Sequence, residues 1–146
     1  MIPKVLTYIT HAGRLLVFRQ PHAPSQGTQV PGGSVEPNET FEVAALREAR
    51  EETGIEGLVF QAYLGSALYE LQVDIGPPHF RHFVHLSATG NPAARWQHSE
   101  APTLTRSETV QRELWWEPLP ALTRRLLDWQ MDAFLPQLEQ RLKSSR

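Results

Sequence analysis

The sequence predicts an α+β domain whose elements run strands, helix, strands, helix. Three observations predict it. Apolar residues alternate near the N-terminus on either side of a glycine turn; a charge-rich stretch from about Glu39 to Thr53 is bounded by helix start and stop residues; and Leu122, Leu126, Trp129 and Phe134 suggest an amphipathic helix near the end. A chain of 146 residues with 40% apolar content favours a single domain, residues 1–146, with a core of its own.

In chain order, Val5, Thr7 and Ile9 alternate with their neighbours, HAGR reads as a turn and LLVFR as a second strand, so the chain opens on a β-hairpin. Pro, Ser and Gly crowd the loop Pro21 to Thr28. Gln29-Val30 is a short extended piece leading into Pro31-Gly32-Gly33, where a rigid turn is followed by backbone bare enough to approach a metal or phosphate. Beyond the charged helix, Leu58 to Val73 and His79 to Ala88 carry strand-like content, separated by the loop signal Asp74-Ile75-Gly76-Pro77-Pro78. Asn91 to Thr105 reads as irregular and Val110 to Trp116 as a last strand. A helix is expected from Pro120, with Pro136 breaking it or starting a second one.

The segment GSVEPNETFEVAALREAREETGI, residues 33 to 55, carries the functional signal. Asn38 is a candidate N-cap and Gly54 suits a left-handed helix end. At about 100° per residue, Glu48, Glu51 and Glu52 share one arc of the helix with Phe41, Ala44 and Ala45. Three carboxylates at those spacings repel, so the arrangement calls for a cation from outside, and hard oxygen ligands suit Mg²⁺ or Mn²⁺. Arg47 lies beside Glu51 on the wheel, placed to fix its rotamer. A solvated, ion-paired face is the commoner meaning of a charge run, but it requires neither the glycine turn nor the lone Glu39.

Written as a pattern, Gly33, Glu39, Arg47-Glu48-Ala49, Glu51-Glu52 and Gly54-Ile55 resemble the box of the Nudix hydrolases, of the MutT-like kind. Ala49 is the one departure, standing where that family usually has a bulky aliphatic residue. The resemblance implies an α/β/α sandwich around a central mixed β-sheet, and water attack on phosphorus that splits a nucleoside diphosphate linked to another group. It implies Glu48 and Glu52 as the strongest metal ligands, Glu51 as the third, a backbone ligand from the Gly33 region, and Arg47 among the catalytic set. Glu39 would support the loop and helix start. The general base is sought in the box or in a later loop. A catalytically silent module that senses nucleotides is the alternative, and the intact carboxylates argue against it. An isomerase of isopentenyl diphosphate, a relative dependent on a catalytic cysteine, is excluded because the chain has no cysteine.

Candidates outside the box are thinner. Glu100 and Glu108, in or beside the irregular segment, lead a set of later carboxylates that also holds Glu70, Asp74 and Glu113. Arg19 and Arg81 are possible phosphate clamps. Trp96 is of a type that stacks on a base. Substrate choice is therefore expected to reside in Asn91 to Glu108 together with Pro21 to Thr28. A net charge of −2 gives no footprint for general nucleic-acid binding, which favours a small phosphorylated, nucleotide-type partner. With no run of about 18 apolar residues and no signal-peptide shape, no membrane association is expected and a cytoplasmic location is the default. A homodimer is compatible with a domain of this kind.

Overall fold

The computed structural model describes residues 2–70, 76–104, 106–119 and 127–144. Seven strands form one mixed sheet: β1 (Ile2–His11), β2 (Arg14–Arg19), β3 (Gly32–Ser34), β4 (Leu58–Tyr69), β5 (His79–Ala88), β6 (Arg95–Glu100) and β7 (Val110–Pro118). Their order across the sheet is β4-β5-β1-β2-β7-β6, with β3 set against β1. Only β1 and β5 run parallel. The opening hairpin forms as expected, its turn carried by Ala12 and Gly13, both at positive φ, the combination that matches the twist of the flanking strands.

The central strand divides its partners. The first half of β1 pairs β3, Lys4 opposite Ser34 and Leu6 opposite Gly32, while its end pairs β2, Thr10 opposite Leu15. Between these two pairings the chain leaves the sheet, and the glycine turn returns to it from the side. Residues 5–10 of β1 are buried on both faces, so two cores flank the sheet. On one face Val5, Ile9, Leu16, Phe18, Val84, Leu86 and Leu114 pack against Ala44, Ala45 and Ala49 of helix α1 (Phe41–Thr53). On the other, Leu6, Tyr8, Leu15, Val17 and Phe83 meet Leu135 and Leu138 of helix α2 (Leu135–Ser144). The result is the α/β/α sandwich around a mixed sheet.

Several boundaries differ from expectation for local reasons. Thr40, not Asn38, caps α1: its hydroxyl accepts from the Val43 amide at 3.1 Å, while Asn38 takes a left-handed φ of 70° in the loop before it. Helix α1 therefore starts at Phe41. Gly54, at φ 75°, ends it as read, its amide donating to the Arg50 carbonyl. Strand β6 occupies ground expected to be irregular. Strand β4 ends at Tyr69, and the rest of the expected Leu58–Val73 strand, with Asp74, lies outside the described residues. The expected helix from Pro120, with Leu122 and Leu126, also lies largely outside them; Trp129 and Phe134 belong to turns, and α2 begins at Leu135 with Pro136 in its first turn. Among the described residues no helix is long and apolar enough to cross a membrane.

Candidate active site

Helix α1 lies with its alanine face on the sheet, and this orientation decides where each glutamate points. Ala45, Ala49 and Glu52 share the inward side, so Glu52 is driven into the protein, its side chain only 4% exposed. Glu48 turns toward the glycine strand and is half-buried. Glu51 faces outward and is 45% exposed. Because β3 runs beside the helix, its bare backbone receives the inner carboxylates: the Gly32 amide donates to Glu52 Oε1 at 2.8 Å, and a Cβ at position 33 would overlap the Glu48 carboxylate. A side chain at 33 would therefore displace the Glu48 carboxylate from its place.

Arg47 braces the loop against the helix. Its Nε and Nη2 grip both oxygens of Glu39 at 2.7 and 2.8 Å, its Nη2 donates to the Ser34 carbonyl at 3.0 Å, and its Nη1 donates to Glu48 at 2.8 Å. The expected contact with Glu51 is the longest of the set at 3.5 Å, because the guanidinium is drawn toward the better-buried Glu39 and Glu48. Glu39 also accepts from the Glu36 amide, so it ties the loop to the start of α1. The Arg47 guanidinium holds the Glu39 carboxyl down at about 2.

A second arginine was not visible in the sequence. Arg112 of β7 lies beneath α1, 10% exposed, with Nη2 at 3.1 Å from Glu52 and Nη1 at 2.9 Å from Glu100. It thereby joins the end of β6 to the box. Strand β6 alternates outward Arg95, Gln97 and Ser99 with inward Trp96, His98 and Glu100, a period of two that was legible in RWQHSE. Trp96 Nε1 donates to the Thr53 carbonyl at 2.9 Å and His98 Nε2 lies 3.0 Å from the Glu51 carbonyl, so the strand occupies the last carbonyls of α1. Trp96 also packs with Trp116 against the core that holds Ala49.

Burial dominates the electrostatics. It pushes Glu52 up to about 8 despite Arg112 and the Gly32 amide, and it raises Glu48 despite Arg47; repulsion among Glu48, Glu51, Glu52 and Glu100 adds to both shifts. Five carboxylates (Glu39, Glu48, Glu51, Glu52 and Glu100) form ion pairs with three guanidiniums (Arg47, Arg106 and Arg112). With all five carboxylates ionised the cluster carries an excess of two negative charges, which fits a divalent cation that displaces the Glu52 proton, and all-oxygen donors beside bare backbone fit a hard one. Among the described residues no three carboxylate or imidazole groups converge on one point as a metal cage would, since the arginines lie between them. Glu48, Glu51 and Glu52, with the Gly33 backbone, are the groups that fit such an ion.

The remaining candidates separate. Arg81 is 7% exposed, lies over the Tyr69 ring at 3.7 Å and donates to the Trp129 carbonyl. With Tyr69, His79, Gln26, Gln29, Trp129 and Met131 it lines a cavity of about 310 Å³. Arg19 sits away from the glutamates, pairing Glu113 at 3.0 Å on the exposed β2–β7 surface, where Arg95 holds the same carboxylate. Glu70 is exposed at the end of β4, and Glu108 is exposed in the 106–109 loop, where its carbonyl accepts from Arg106. Trp96 and His98 line a second cavity, of about 470 Å³, at the C-terminal end of α1.

A family model, the NUDIX domain, matches residues 3–138, nearly the whole chain. This chain belongs to the Nudix hydrolase family. Solved structures agree on the fold of this Nudix protein. A UDP-X diphosphatase superposes with a TM-score of 0.68 at 15% identity, covering 99% of this chain, which spans 64% of that one. A C. elegans Ap4A hydrolase superposes with a TM-score of 0.67 at 20% identity, covering 99% of both chains. A MutT Nudix hydrolase from Burkholderia pseudomallei gives 0.65 at 22% identity, covering 94% of this chain and 97% of that one. No curated protein sequence matches the chain.

Proposed function

We propose that this Nudix enzyme, a pyrophosphohydrolase by class, cleaves the diphosphate of a nucleoside diphosphate linked to another group, with Mg²⁺ or Mn²⁺, by water attack on phosphorus. The observation that carries the reading is the placing of Glu48 and Glu52 against the bare Gly32-Gly33 backbone, with Glu100 joined to Glu52 through Arg112. The solved structures similar in fold include a UDP-X diphosphatase and an Ap4A hydrolase, which supports a nucleotide-type substrate.

In this reading Glu48, Glu51 and Glu52 hold the cation with the Gly33 backbone. A divalent ion supplies charge neutralisation at the phosphate oxygens and acidifies a water. Arg47 keeps the glutamate of the loop and that of the helix in register. Glu100, the described carboxylate from beyond the box that the fold brings to the cluster, takes the proton from the attacking water. The cavity around Arg81 holds the group beyond the diphosphate: an anionic substrate is drawn to a cation-lined wall, whereas among the described residues no Arg or Lys lines the cavity beside Trp96. The protein is read as working in the cytoplasm on a small phosphorylated metabolite.

The experiment is a screen of about fifty phosphorylated metabolites with Mg²⁺ and Mn²⁺, both products identified by mass, followed by turnover of the best substrate in ¹⁸O-water. The expected result is metal-dependent cleavage with the label in one phosphate product. Label in a sugar or alkyl hydroxyl overturns attack on phosphorus, and saturable nucleotide binding without any turnover favours the silent sensor.

A further inference from the structure

Among the described residues two cations near the site have no carboxylate partner. Lys4 is half-buried on β1 and its ammonium donates to Ser34 Oγ at 2.8 Å; Arg81 is buried on β5 and is satisfied by the Trp129 carbonyl and the Tyr69 ring. Among the described residues neither has a carboxylate within 4.0 Å, although glutamates occupy the adjoining cluster. Lys4 is the direct partner of Ser34 on one side and of Arg81 on the other, so the three side chains project from one face of the sheet. His79, a third basic group, lies close enough to feel both charges. A desolvated cation without a counter-ion costs stability unless a ligand supplies one.

The position of Lys4 is equally informative. On one side it pairs Ser34, next to the Gly33 that lies against the Glu48 carboxylate, and on the other it pairs Arg81, which lines the cavity, so β1 carries it between the strand beside the glutamates and the strand beside the cavity. Ser34 engages one of its three N–H donors, which leaves two for an incoming oxygen anion. We infer that Lys4 binds the substrate phosphate lying between the glutamates and the Arg81 cavity, the phosphate attached to the group that the cavity holds. This rests on the pyrophosphohydrolase reading above. Arg81 then faces the same phosphate from the cavity side, and Ser34 fixes the direction of the ammonium.

The test uses the full chain with Mg²⁺ and methylenediphosphonate, a diphosphate analogue with a carbon bridge that water does not cleave, titrated calorimetrically. Lys4→Met keeps the aliphatic stem and removes the charge, and Lys4→Arg keeps the charge. Loss of one charge-assisted contact is expected to raise the Kd of Lys4→Met about ten- to a hundredfold and that of Lys4→Arg by less than about fivefold. With the best substrate of the screen, KM is expected to rise in parallel while kcat stays within about threefold. Unchanged Kd and KM in Lys4→Met overturn the inference, as does failure of the wild type to bind the analogue saturably. Lys4→Gln takes its place in the same comparison if Lys4→Met does not fold. Glu52→Gln, measured alongside, separates the two ideas: normal turnover there overturns the pyrophosphohydrolase reading, whereas lost turnover there with unchanged Lys4→Met binding overturns only the role of Lys4.

Discussion

Around the glutamates each well-buried cation has its anion: Arg112 lies between Glu52 and Glu100, and Arg47 is gripped by Glu39 and Glu48. Across the sheet, Lys4 and Arg81 have a serine hydroxyl, a backbone carbonyl and an aromatic ring in place of carboxylates. The acidic region therefore neutralises much of its charge internally, with arginines lying among its glutamates. The basic region leaves its charge for a substrate to meet. A diphosphate with a divalent cation complements both regions at once, positive at the glutamates and negative at Lys4.

The largest effect is expected from breaking the acidic region. Glu52 is the most buried of the four box glutamates and already accepts from the Gly32 amide, so an amide in its place keeps the shape of the site. Glu52→Gln should retain the fold and lose turnover by on the order of a hundredfold or more, because a neutral amide is a poor ligand for a hard divalent ion. Steady-state turnover and Mn²⁺ affinity, measured on the same preparation, check this. Near-normal values for both would move catalysis away from the box.

The two regions were unequally legible. The box is local: glycine, arginine and glutamates lie within one loop and one helix, where a spacing of three or four fixes which side chains share a face. The same locality made the start of the helix ambiguous, since Asn38 and Thr40 are both good caps and only the left-handed backbone at Asn38 decides between them. Arg112 and Lys4 are distant in sequence from the groups they serve, and strand pairing brings them there: β7 beside β2, and β1 between β3 and β5. Single-sequence periodicity carries no information about such pairings. Strand β6 was partly legible, because Trp96, His98 and Glu100 alternate with exposed residues, but the proline- and alanine-rich approach to it suggested a loop.

A smaller effect sharpens the comparison through pH. Burial holds the Glu52 pKa at about 8, against 4.5 for the ordinary carboxyl, and Glu48 moves the same way. Between these values the folded chain keeps a proton that the unfolded chain releases, so stability falls as pH rises through the window from about 4.5 to about 8 and levels off above it. Glu39, held down at about 2, contributes in the opposite sense and below that window. Thermal unfolding in a chelator is expected to show Tm falling from pH 6.5 to pH 8, above the window in which His85, held down at about 4 by burial, contributes in the opposite sense. The fall should be shallower in Glu52→Gln and reduced by added Mg²⁺, which favours the ionised native carboxylates. A flat profile between pH 6.5 and pH 8 in the wild type would mean that Glu52 is not held above its ordinary range.

The smallest expected effect concerns Trp96, which lies in neither charged region. Its indole N–H occupies the Thr53 carbonyl at the end of α1 and its ring packs with Trp116, at a cavity lined, among the described residues, by no Arg or Lys. Trp96→Phe keeps most of the ring and removes the hydrogen bond, so about 1 kcal/mol of stability should be lost. If the group beyond the diphosphate is read at the Arg81 cavity, the ratio of kcat/KM between two substrates that differ only in that group should change by less than about twofold. Denaturant unfolding and competition kinetics on one variant measure both quantities. A base stacked on an aromatic ring is worth about 1 to 3 kcal/mol, so a ratio shifted about tenfold would instead place the base on Trp96 and make the cavity at the end of α1 the specificity surface.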